Sequence, residues 1–217
     1  MSQLPNNETI KYFQVTLLNW YKLNGRKFPW RKSGLSNYKI IISEILLQRT
    51  RAETVAKFYP IFIKRFPSWE SLSGLTENNI ANTLKGIGLQ NQRAKRLKAL
   101  AIEMVKRNGR LPKTYDELLE LPFFGQYIAN AVMLLVHTKP YPLLDVNMSR
   151  ILERIFGNRK LADIRYDPYL QKIAKFIITD QNSKILNWAI LDYAHLICSP
   201  KPKCEICVFR SICLHIK

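Results

Sequence analysis

The chain has 217 residues, 47% of them hydrophobic, enough to bury one core or two small ones. Its 34 lysines and arginines outnumber 16 aspartates and glutamates, a net charge of +18 that points to a polyanion, most simply nucleic acid, or more plainly to a solvated basic surface or anionic lipid. No apolar run approaches the roughly 18 residues of a membrane span, and MSQLPNNETIKYF lacks the basic-then-apolar order of a secretion signal, so the expectation is a soluble cytoplasmic protein, nucleoid-associated in a prokaryote.

In chain order the pattern reads as helix after helix. Tyr38 to Arg51 carries Ile41, Ile45 and Leu46 at helical intervals. A second helix runs from Ala52 to Phe66 and stops at Pro67. Thr76 caps a short helix reaching about Lys85, and Gly86-Ile87-Gly88 marks a tight turn. The next helix is the densest basic stretch, NQRAKRLKALAIEMVKRNGR. Ala94, Leu97, Leu100, Ala101 and Met104 form its core face, and Arg93, Lys95, Arg96 and Lys98 are candidates for contacts with a nucleic-acid backbone. Asn108-Gly109 ends it. Thr114 with Glu117 predicts a capping box for a helix ending near Leu121. Helices follow at about 126–136, 148–156, 168–179 and 183–197. Convincing alternating strands are absent, so the fold class is all-α.

All four cysteines lie in CSPKPKCEICVFRSIC, at Cys198, Cys204, Cys207 and Cys213. Structural zinc sites usually pair two close cysteine couples. One close couple with an outlier on each side suits a single cluster wrapped by one loop, and four cysteinates are the usual shell of a [4Fe–4S] cluster. Zinc, and two disulfides, are the alternatives.

The stretch LPFFGQYIANAVMLLVHTKPYPLLDVN holds the remaining chemistry. Pro122 to Gly125 turns the chain sharply between two helices, so that backbone N–H groups of Phe124, Gly125 and the helix start are suited to a phosphate. A plain helical hairpin would look the same. Asp145 precedes a helix and reads as its N-cap. A carboxylate held ionised there is also a fixed negative charge, able to stabilise a developing cation.

On these residues the sequence resembles the endonuclease III/MutY superfamily of helix–hairpin–helix DNA glycosylases. FPWR, SEILLQRT, GIGLQNQRAKRLK, LPFFGQY, LLDVN and the cysteine loop occur in the family's order, almost end to end. Within it, SEILLQRT, IGLQNQRA, the tyrosine after the hairpin and SPKPKCEIC are most similar to the archaeal-type thymine mismatch glycosylases. The resemblance implies two helical modules, residues 28–134 and residues 1–27 with 135–217, the second bearing the iron–sulfur loop.

It also implies roles. Glycosylases extrude a base from the duplex and pass through an oxocarbenium-like transition state. Asp145 would stabilise that cation. Glu44, in the apolar setting of SEILLQ, would protonate the departing base or orient water, unless it is merely a helix-surface glutamate. Tyr127 stands where bifunctional members carry a Schiff-base lysine, which implies a monofunctional enzyme with little strand cleavage, its ring packing on the flipped nucleotide. Gln48 falls where relatives fill the gap left by the base. Arg49 is placed to read the opposite base, and Leu89 and Gln90 are further wedge candidates. Trp30 and Arg31 line the pocket mouth or, for Trp30, the core. The implied partner is double-stranded DNA with a mismatched or damaged base, bound by a monomer without membrane contact. The leading substrate is thymine or uracil opposite guanine. The rival is adenine opposite guanine or oxidised guanine, whose enzymes usually continue into a C-terminal domain beyond the cysteine loop. A non-catalytic DNA-binding module is the remaining reading.

Three features depart from the family pattern. Phe123 stands where the hairpin usually has its first glycine, Ile128 replaces a threonine, and five residues rather than six separate the first two cysteines.

Overall fold

The structure, a computed structural model, describes residues 4–179 and 182–216. Among them every regular element is helical, as the sequence predicts. By internal contacts the chain divides into two compact units, Lys27–Val132, and Met1–Arg26 with Met133–Lys217.

Helix α1 (Asn7–Asn24) opens the split unit. The Asn6 side chain caps it by accepting from the Thr9 N–H, and its buried face is Ile10, Phe13 and Leu17. The continuous unit begins with a 3-10 turn, Pro29–Arg31, followed by α2 (Asn37–Leu47) and α3 (Ala52–Arg65). Helix α2 stops at Leu47, four residues short of the expected end. Arg49 adopts φ 56°, and residues 48–50 form a turn instead of a further helical turn. Then come α4 (Trp69–Ser73) and α5 (Glu77–Thr83), the latter capped by Thr76 as expected. Helix α4 was not legible as periodicity, being only five residues long; a reciprocal Ser68–Ser71 cap starts it.

Helix α6 (Gln90–Lys106) is the basic helix and packs on α4 and α5. Its Ala94, Leu97, Leu100, Ala101 and Met104 are all completely buried. The Thr114–Glu117 capping box opens α7 (Tyr115–Leu119), and α8 (Gln126–Leu135) completes the hairpin. In α8 the Gly125 carbonyl accepts from the Ala129 N–H, as an N-cap backbone should.

The split unit resumes with α9 (Val146–Phe156), α10 (Pro168–Ile177) and α11 (Ser183–Leu196). Helix α11 packs on α1 and α9, and α10 on α9. Residues 197–216 lack a long helix, yet the loop is tied to this core by Phe209. That ring is fully buried, 4.8 Å from Phe13 and 5.1 Å from Tyr193 between centroids. Burying one such side chain contributes roughly 1.5–3 kcal/mol, so the cysteine segment is anchored to the core by packing.

Candidate functional site

Asp145 is the N-cap of α9. Its Oδ1 accepts from the Asn147 N–H at 2.9 Å and the Met148 N–H at 2.8 Å, and its Oδ2 from the Asn147 side-chain amide at 2.8 Å. Burial lifts its carboxyl above the ordinary carboxylate range, against the pull of those three donors and the nearby Arg150 charge. Asp167, the N-cap of α10, gives the contrast. There too burial acts to raise the pKa, but backbone N–H groups of Leu170, Leu161, Lys160 and Tyr169 outweigh it and hold the group low. Asp167 is a satisfied structural carboxylate. Asp145 is a carboxylate whose charge burial disfavours where it stands, which marks it as a candidate functional group.

Helix α9 turns one face to the core, with Met148, Ile151, Leu152 and Ile155 buried, and a polar stripe runs along it at helical spacing. Asn147, Arg150 and Arg154 form that stripe. Arg150 donates to the Asn147 side-chain oxygen at 3.0 Å, to the Ala194 carbonyl at 2.9 Å and to the Cys198 carbonyl at 2.8 Å. Arg154 continues to the Ser199 carbonyl at 2.7 Å and the Cys198 sulfur at 3.5 Å. A hydrogen-bonded path therefore joins the aspartate to the cysteine loop. Sequence reasoning missed Asn147 and Arg150. The signal was present in DVNMSRILER, where polar residues recur three and four apart, but a polar helix face ordinarily reads as solvated.

The four cysteines are free thiols that line one cavity together with Arg154, Lys203 and His215, so the disulfide alternative falls. Tyr193 donates from its hydroxyl to the Cys207 sulfur at 3.1 Å. No three histidine, cysteine, aspartate or glutamate side chains among the described residues converge on one ion position. A single zinc would need its sulfurs about 3.8 Å apart, given Zn–S bonds of about 2.3 Å.

In the continuous unit, Glu44 lies on α2 at 5% exposure, flanked by buried Ile41, Ile45 and Leu46, so it is no surface glutamate. Tyr127 is half-buried in the first turn of α8. Gln48 and Gln90 are half-buried, Arg49 and Leu89 exposed. Lys95 and Arg96 are exposed on α6, and Lys98 is half-buried. Arg93 is not on that basic face: it is 3% exposed, and its guanidinium donates to the carbonyls of Gln48 and Ile87 and to the Thr50 hydroxyl. Buried and turned inward onto these acceptors, the guanidinium is not on the face that a phosphate would meet. Phe124 is buried at 8%, leaving only its backbone for a ligand, while Gly125 is exposed. Trp30 is core, stacked on Phe28 at 4.7 Å and edge-on to Tyr59 at 5.8 Å. Phe123 takes φ 75°, the glycine conformation without the glycine, and the Arg96 guanidinium sits over its ring at 5.6 Å.

The family profile described as HhH-GPD superfamily base excision DNA repair protein matches residues 42–177. The chain belongs to this superfamily. Among HhH-GPD relatives, the thymine/uracil-DNA glycosylase of Methanothermobacter thermautotrophicus is 35% identical over 95% of this chain and 94% of its own. The adenine DNA glycosylase of Buchnera aphidicola subsp. Schizaphis graminum is 32% identical over 96% of this chain and 61% of its own. A solved thermostable thymine-DNA glycosylase superposes with a TM-score of 0.89 at 34% identity, over 97% of both chains. Endonuclease III in a DNA complex shares the fold, with a TM-score of 0.82 at 18% identity. The resemblance drawn from the motifs thus holds for the HhH-GPD family and fold.

Proposed function

We propose that the protein is a monofunctional DNA glycosylase that hydrolyses the N-glycosidic bond of thymine or uracil opposite guanine in double-stranded DNA, acting as a single chain. The observation that carries this is the similarity to thymine/uracil-DNA glycosylases across nearly the whole of both chains, supported by the capped but costly carboxylate of Asp145.

In the reaction the C1′–N bond breaks and its electron pair leaves with the base. Asp145, ionised, stabilises the positive charge that builds on the deoxyribose. Glu44, held in an apolar stretch of α2, delivers a proton to the departing base or orients the water that adds at C1′. The products are the free base and an abasic site. Tyr127 packs on the extruded nucleotide. Its phenol cannot form a Schiff base, so the strand stays intact and borohydride traps no enzyme–DNA adduct. Lys95 and Arg96 meet the phosphates, with Gly125 and the backbone around it at the hairpin.

Cys198, Cys204, Cys207 and Cys213 would hold a [4Fe–4S] cluster. Four cysteine sulfurs lining one cavity are a donor set that suits it, and zinc remains the alternative. When bound, such a cluster supplies a four-point anchor for the loop and a redox-active centre. Arg154 and Tyr193, which donate to the Cys198 and Cys207 sulfurs, would help hold those ligands in place.

The test is a panel of duplexes carrying T·G, U·G, A·G and adenine opposite oxidised guanine, with abasic products revealed by alkali. Cleavage of the first two is expected. Release of adenine alone would replace this reading with the adenine one, and release from none would leave a DNA-binding module.

A further inference from the structure

Among the described residues Arg93 is a buried cation with no ion-pair partner. Among the described residues its bonds go to two carbonyls and a hydroxyl, and burial lowers its pKa. Such a group is expensive, so what it holds matters. It holds two loops. One is the Gln48–Thr50 turn after α2, where Arg49 is left-handed at φ 56°. The other is the approach to α6, where Gly86, Gly88 and Leu89 have φ of 98°, 74° and 53°. The guanidinium reaches the Gln48 carbonyl, Thr50 Oγ1 at 2.8 Å and the Ile87 carbonyl at 3.3 Å. Thr50 Oγ1 closes the ring by donating to the Ile87 carbonyl at 3.2 Å. Left-handed backbone at arginine and leucine persists only when its surroundings impose it.

What the clip presents is chemically apt for an opened duplex. Leu89 is 47% exposed, an apolar side chain projecting at the start of a basic helix, and Arg49 is exposed on the facing turn. Apolar wedges beside cations are how proteins part a base step. The uncompensated charge of Arg93 beneath both loops adds to the attraction for phosphate without touching it.

We infer that Arg93 is a positioning residue: it locks the turn at Gln48–Thr50 to the loop at Ile87–Leu89, and this joint platform holds the duplex unstacked at the lesion. The inference rests on the glycosylase reading for the identity of the lesion, but not for its test. The readout is fluorescence of 2-aminopurine placed beside a T·G mismatch, at saturating protein, for the wild type, Arg93→Lys and Thr50→Val. Lysine keeps the charge and loses the fork; valine removes only the closing hydroxyl and serves if the lysine variant does not fold.

The wild type should brighten the probe. Arg93→Lys should lose most of that brightening and about tenfold to a hundredfold of the single-turnover rate, with Thr50→Val between. The salt slope of binding to matched duplex should stay as in the wild type, whereas loss of a true phosphate contact would lower it by about one. Full brightening in folded variants, a flattened slope, or no brightening by the wild type would each overturn the inference. Failure of the glycosylase reading shows differently, as absence of base release from every duplex while the probe still reports unstacking.

Discussion

Around Asp145 and the cysteine loop, shape is held largely by side chains bonding to backbone: a capped helix start, then Asn147 tying the cap to Arg150, and Arg150 and Arg154 reaching carbonyls of the loop. Among the described residues of the split unit, Thr138 and Gly157 take a positive φ, neither of them in the helix start at Asp145 or in the cysteine segment. The continuous unit is held differently. Arg49, Leu89 and Phe123 occupy left-handed backbone at the loops expected to meet DNA. The difference teaches a division of labour. Around Asp145 the chain is fixed by side chains bonded to backbone, while Arg49, Leu89 and Phe123 hold left-handed backbone that their surroundings must impose.

The largest expected effect comes at the bonded end. Asp145→Asn should lower single-turnover base release by about a thousandfold without lowering thermal stability, since asparagine caps helices as well as aspartate. The sign follows from the raised carboxyl pKa. Its stabilising contribution is complete below the unfolded value of about 3.9 and is lost as pH rises through the folded one. The asparagine variant should therefore gain on the wild type over that window and stay ahead at neutral pH; melting curves from pH 4 to 8 check it.

Cys204→Ser should lose bound iron, the brown absorbance near about 400 nm expected of such a cluster, and several kcal/mol of stability. One zinc per chain in the wild type would break the cluster reading. Arg150→Lys cuts the path between the cap and the loop. It should cost about 2–3 kcal/mol in urea unfolding and lower base release about tenfold, with DNA affinity nearly unchanged; loss of affinity alone would dissolve the contrast drawn above.

The smallest effect tests the strained end. Left-handed backbone costs an L-residue roughly 1–2 kcal/mol, and the Arg96 stack returns about 0.5–1 kcal/mol. Phe123→Ala keeps the strain and loses the stack, whereas Phe123→Gly loses both. The glycine variant should be the more stable of the two by about 1 kcal/mol in urea unfolding.

Much of the fold was legible because it is local. Thr76 and Thr114 cap where their side chains can reach the next backbone N–H, and α6 sorts its faces by a spacing visible in the letters. Asp145 as a cap was legible for the same reason. The end of α2 was not, since Ile41 to Arg51 keeps helical propensity and the turn is imposed by Arg93, 45 positions beyond Gln48.

The sequence by itself determined the all-helical class, the caps, the cysteine segment and the family, because each depends on neighbours within a few residues or on motif order. Tertiary structure alone decided that Arg93 points inward, that Asn147 and Arg150 link the aspartate to the loop, and that burial outweighs the hydrogen-bond donors at Asp145 but not at Asp167. Burial and long-range donors set the cost of a charge, and neither is written in the spacing of one chain.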